Sequence, residues 1–248
     1  MSFRKLIPAC LLVLALPSPA SAKVGSRNLE FALKTHQFCA LVDYPESATV
    51  VQGENGVLAN IILAAYVDDG AQTQTSSIVQ PITPMKLRVE IEDDGGATTP
   101  ALTCSVQIFG LDQFGGAISE TVSASETAAT TVNVYSKITK ISTVAGACVA
   151  AADTSDYLLV NQSLQIGLGR KIGATSDVVM ACFVDDPDGT ADTKCSPYDI
   201  GTDDSISDIV SVSTHSIDFS VTAFGPVGGS EVAATDGDIL CVRVVPSI

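Results

Sequence analysis

From Pro45 onward the sequence is a succession of short apolar segments rich in Val, Ile, Thr and Ser, cut by Gly, Asp, Asn and Pro. Segments of that length and β-branched character suit strands rather than helices. Residues 86–92 alternate cleanly, with Leu87, Val89 and Ile91 on one face and charges on the other. A half-exposed strand is predicted there, closed by the turn Asp93-Asp94-Gly95-Gly96. Residues 103–110 and 117–123 flank Leu111-Asp112-Gln113-Phe114-Gly115-Gly116, whose glycines can take the positive φ that a hairpin needs. Over 132–141 the apolar spacing slips from two to three, as in a strand with a bulge. Further strands are predicted over 157–168, 178–184, 208–222 and 238–245.

With no strand-to-helix rhythm, the expected class is all-β. The body is read as a β-sandwich, jelly-roll or immunoglobulin-like, or as two stacked β-domains. One short N-terminal helix is expected over 27–43, where Leu29, Ala32, Leu33, His36 and Cys39 fall at three- and four-residue steps. The linker-like Gly95-Gly96-Ala97-Thr98-Thr99-Pro100 suggests a division into an N-terminal helix and β region, 23–96, and a β-sandwich domain, 97–248.

Residues 1–22 place Arg4 and Lys5 before an apolar run over 6–16, then end on Ala20-Ser21-Ala22. That is the layout of a secretory signal peptide, and the run is about half of what a membrane-spanning helix needs. Export to the periplasm, the cell surface or the medium is therefore expected. Cleavage would remove Cys10 and keep Cys39, Cys104, Cys148, Cys182, Cys195 and Cys241, an even set that suits disulfides in an oxidising compartment. Six cysteines allow 15 full pairings, and Cys182 with Cys195 alone looks like a local loop closure.

The chain carries 28 acidic against 13 basic side chains, a net charge of −15, which disfavours nucleic acid and, after signal cleavage, membrane surfaces as partners. Its two histidines, His36 and His215, sit in no catalytic motif, so no enzyme is expected and no catalytic or cofactor-binding residue is nominated. His215 is read as a structural or solvent-facing residue on an alternating strand. Gly167-Leu168-Gly169-Arg170-Lys171-Ile172-Gly173 spaces its last glycine wrongly for a dinucleotide loop and is read as a turn with solvated cations. No cofactor is expected beyond calcium, for which Asp185, Asp186, Asp188 and Asp192 supply suitable oxygens. Their register fails the EF-hand pattern, because Val184 would fall at position one and Cys195 at position twelve. Asn161-Gln162-Ser163 fits the N-glycosylation acceptor triplet.

Asp112, Gln113, Phe114 and Gly115, followed by Ser119, Glu120 and Thr121 and then by Tyr135, Lys137, Ile138 and Ile141, form a longer pattern. Over residues 102–141 it resembles virion structural proteins of tailed bacteriophages, of the head-decoration and tail type. The resemblance implies a non-enzymatic β-sandwich that coats or joins a particle through repeated subunit contacts. The expected function is thus a structural subunit of an extracellular or viral particle or filament, with copies of itself or assembly neighbours as partners. The alternative is a secreted β-sandwich binding module for a carbohydrate or protein ligand, with calcium as its ion.

Overall fold

A computed structural model of the chain describes residues 36–41, 56–62, 73–92, 103–144, 157–185, 192–195, 209–220, 234 and 239–244. Among these residues the structure is almost entirely β, and every strand pairing is antiparallel. The strands are β1 (His36–Leu41), β2 (Val57–Ile62), β3 (Thr73–Gln74), β4 (Met85–Glu92), β5 (Thr103–Asp112), β6 (Ala117–Ser125) and β7 (Ala129–Thr130). They continue with β8 (Tyr135–Thr143), β9 (Tyr157–Gly167), β10 (Val178–Asp185), β11 (Asp192–Cys195), β12 (Val210–Ser211), β13 (Ser216–Asp218) and β14 (Ile239–Val244).

Two ladders result. The smaller runs β1-β14-β10-β11. The larger follows β12-β13-β9-β4-β8-β5-β6, with β2 on β9, β3 on β8 and β7 on β4. Within it the β4–β8 joint is a single pair, Met85 opposite Tyr135, whereas β4 meets β9 and β5 meets β8 over most of their lengths. One contiguous core takes Leu87, Val89, Leu158 and Val160 from one side of that joint and Val106, Ile108, Ile138 and Ile141 from the other. Phe183, Leu240 and Val242 of the smaller ladder belong to the same core.

The β5–β6 hairpin forms where the alternation and the glycines predict it. The register of β5 on β8 shifts between Phe109 and Gly110, leaving Thr139 as an extra residue between Ile138 and Ile141. This bulge lets two isoleucines three positions apart both point into the core, where both are buried. Gly110 lies so close to β8 that a Cβ there would collide with the Lys137 carbonyl. On the other edge of β8, between the β4 and β3 contacts, the Gln80 side chain acts as a short strand. Its amide donates to the Ile138 carbonyl at 3.1 Å and accepts from the Ile138 N–H at 2.8 Å.

Four expectations are corrected. Within the helix expected over 27–43, residues 36–41 form β1, because pairing with β14 satisfies their backbone groups along a six-residue register; 27–35 lie outside the described residues. The division at 96/97 does not separate two sheets, since β2 and β4 both hydrogen-bond to β9. The segment 208–222 is not one strand: β12 and β13 form a tight hairpin, with His215 in its turn at φ +50°. One position on the charged face of β4 departs from the half-exposed pattern: Glu90 is only 8% exposed, while Lys86, Arg88 and Glu92 are half-buried. Residues 1–22 lie outside the described residues.

Candidate interaction surface

Three loops meet at one end of the larger ladder: the β5–β6 turn, the segment after β9, and the β12–β13 turn. The first is set by Asp112, whose Oδ1 accepts the N–H groups of Phe114 and Gly116, both at 2.7 Å. Gly115 closes the turn at φ +84°, a backbone state that costs an L-residue free energy. Gln113 then reaches across to the other two loops. Its Nε2 donates to the Thr214 carbonyl at 2.7 Å, and its Oε1 accepts from Gly169 N–H at 3.4 Å. Gly167 permits this approach, because a Cβ there would collide with Gln113 Oε1 and with Val134.

The β12–β13 turn is braced by hydroxyls. Thr214 Oγ1 donates to Ser211 Oγ at 2.6 Å and lies 2.7 Å from Ser216 Oγ. His215 locks the turn onto the segment after β9: its carbonyl accepts from Leu168 N–H at 2.9 Å, and its Nδ1 accepts from Ile172 N–H at 3.2 Å. Phe114 packs edge-on against the His215 ring at 5.5 Å, and Lys171 Nζ stands 5.5 Å from the Phe114 centroid. Phe114 remains 42% exposed. Lys171 is exposed, so one of the chain's scarce cations stands beside a fixed aromatic.

This arrangement presents an apolar ring with a cation at its rim; among its described residues no nucleophile is hydrogen-bonded to a base. Among the described residues no group of three His, Cys, Asp or Glu side chains gathers as a metal site. Asp185 and Asp192 lie opposite each other where β10 and β11 meet the intervening loop, while Asp186 and Asp188 lie outside the described residues. Asn161, the acceptor of the glycosylation triplet, is fully buried in β9 and donates to Glu90 Oε1 at 2.6 Å, so the folded chain does not offer it for glycosylation. Burial raises the Glu90 pKa above its ordinary 4.5, against the lowering pull of Arg88, whose guanidinium bonds the other carboxylate oxygen.

Of the cysteines, Cys39 and Cys241 are disulfide-bonded, with Cα atoms 4.2 Å apart. Cys104 and Cys182 are also disulfide-bonded. Cys195 sits opposite Cys182 in the β10–β11 register, and Cys148 lies outside the described residues. His36 lies in β1. The role of Gln113 as a bridge between loops is invisible in sequence, because its partners lie 56 and 101 residues away. The local signal is the paired glycines: Gly167 marks the close approach of Gln113, and Gly169 takes a left-handed backbone at φ +64°. Among the described residues no helix is long and apolar enough to cross a membrane. The chain matches no family model, and no curated protein or solved structure matches it.

Proposed function

We propose that the chain is a non-enzymatic structural subunit of an extracellular or viral particle or filament, and that the Phe114 surface is a contact with neighbouring copies. The observation that carries this reading is a large aromatic kept in water by a built frame of Asp112, Gln113, His215 and two glycines. Fixed aromatics are common anchors of protein interfaces, because they bury much area at little cost in side-chain entropy. The resemblance of residues 102–141 to phage virion proteins leads the same way, since Gln113 and Phe114 belong to its motif. The Cys39–Cys241 disulfide supports assembly outside a reducing cytoplasm.

Sedimentation of wild type and Phe114→Ala at high concentration, beside a search for the chain in particle and surface fractions of its source, tests the proposal. Wild type is expected to associate, and the variant to remain monomeric with an unchanged melting temperature. A strictly monomeric wild type that is missing from those fractions overturns it. One feature favours the binding-module reading instead: a cavity of about 240 Å³ lined by Asn60, Ile61, Thr73, Gln74, Thr75 and Ser76. Amides and hydroxyls of that kind suit a neutral polyhydroxylated ligand. Retention on a glycan array, abolished by a chelator if calcium takes part, would promote that reading.

A further inference from the structure

The register of the smaller ladder brings four cysteines into one row. Cys39 lies opposite Cys241, Cys241 opposite Cys182, and Cys182 opposite Cys195. Directly opposed residues of antiparallel strands project to the same face. The adjacent row agrees: Arg243 donates from Nε and Nη2 to Gln37 Oε1, at 3.2 and 2.8 Å, on the face that carries Cys39 and Cys241.

Pairing parity decides which neighbours bond. Opposed residues alternate between hydrogen-bonded pairs, with Cα atoms about 5.5 Å apart, and non-hydrogen-bonded pairs about 4.5 Å apart. The Cys39–Cys241 separation of 4.2 Å marks the close type, so the backbone groups of Cys241 turn toward β10. Cys241 and Cys182 are then a hydrogen-bonded pair, and Cys182 and Cys195 are again a close pair. Cys182, only 3% exposed, is itself disulfide-bonded. We infer that Cys182 and Cys195 form a second cross-strand disulfide, giving β1-β14-β10-β11 two covalent rungs around one hydrogen-bonded seam.

Two consequences follow. Both edge strands of this ladder, β1 and β11, are covalently tied to their inner neighbours, so neither edge can peel away to pair with another chain. With four cysteines assigned, disulfide-bonded Cys104 has Cys10 and Cys148 left as candidate partners. Chain length favours Cys148: Val144 N–H bonds to the carbonyl of Ser105, next to Cys104, and Cys148 follows four residues later. Each bond forms as two thiols lose two protons and two electrons to a disulfide oxidant, which leaves as its dithiol.

The test is disulfide mapping of the full chain, secreted from an oxidising host, by mass spectrometry without reduction. Trypsin alone leaves Cys195 and Cys241 on one peptide, since Arg243 is the next basic residue after Lys194; a second cut after Glu231 separates them. A Cys182 peptide linked to the Cys195 peptide is expected, with Cys104 linked to Cys148. In Cys195→Ser, alkylation should trap one new thiol at Cys182 while Cys39–Cys241 stays closed. A free Cys195 thiol in wild type, or Cys182 linked to any other cysteine, overturns the ladder. Cys104 linked elsewhere overturns the Cys148 assignment.

Discussion

Strands β5, β6 and β8 lie within residues 103–143, whereas the smaller ladder pairs residues 36–41 with residues 239–244. In the first region a turn built by Asp112 and Gly115 sets the hairpin register before any distant contact forms. In the second nothing local sets the register, and a slip of one residue would turn Ala40 away from its partner Leu240. The disulfide Cys39–Cys241, spanning 202 residues, fixes that register and removes loop entropy from the unfolded chain. Sequence proximity thus holds one region together, and covalent chemistry holds the other.

Cys241→Ser should have the largest effect. For a closed loop of 202 residues the chain-entropy account gives a loss of about 5 kcal/mol. Denaturant titration of the oxidised variant against wild type measures it, and hydrogen exchange locates it. Amides of β1 and β14 should open while those of β5 and β6 stay protected. Equal loss of protection in both regions would break the comparison, because the two would then be one cooperative unit.

Ile141→Ala probes the other side. Its side chain is fully buried behind the Thr139 bulge, and truncation should cost about 3 kcal/mol, with or without reductant. A cost that appears only in the reduced protein would mean that the larger ladder depends on the staples after all. A smaller loss is expected from Glu120→Ala. The carboxylate accepts from Val132 N–H at 2.6 Å and from the backbone N–H and Nδ2 of Asn133, both at 2.9 Å. Removing these charge-assisted bonds at a partly exposed site should cost about 2 kcal/mol, read as a shift in the denaturation midpoint.

The same contrast governs what was legible in sequence. The β5–β6 hairpin and the β8 bulge can be read because their causes, a glycine turn and a slipped apolar spacing, lie within a few residues. Residues 36–41 resist reading because Phe38-Cys39-Ala40-Leu41 is a short apolar run that suits a helix as well as a strand, and its partner lies 202 residues on. The β12–β13 hairpin was hidden by serines and threonines that mimic strand alternation. Their hydroxyls instead brace the turn through Ser211, Thr214 and Ser216. Of the Phe114 surface only the Asp112–Gly115 turn could be read. Lys171 and His215 reach Phe114 through tertiary contacts that carry no local signal.

Glu90 lies between these extremes and supplies the smallest prediction. Alternation placed it on a strand, yet did not reveal that Asn161, 71 residues later, would meet it inside the fold. Burial raises its pKa above 4.5, and neighbouring Glu92 adds to the rise, while Arg88 and Asn161 oppose it without cancelling it. The folded chain therefore holds this proton more tightly than the unfolded chain. Stability from this group is full below the unfolded value of 4.5 and is lost as pH rises through the higher folded value. Glu90→Gln keeps an acceptor for Asn161 but carries no titrating proton. Melting temperatures of wild type and variant across acid to neutral pH should diverge, with the variant gaining on wild type as pH rises. The difference between the two chains isolates Glu90, since every other carboxylate is common to both. A difference that stays flat with pH would mean that Arg88 fully compensates the burial. This joint between β4 and β9 would then be held by charge pairing, unlike either the hairpin or the stapled ladder.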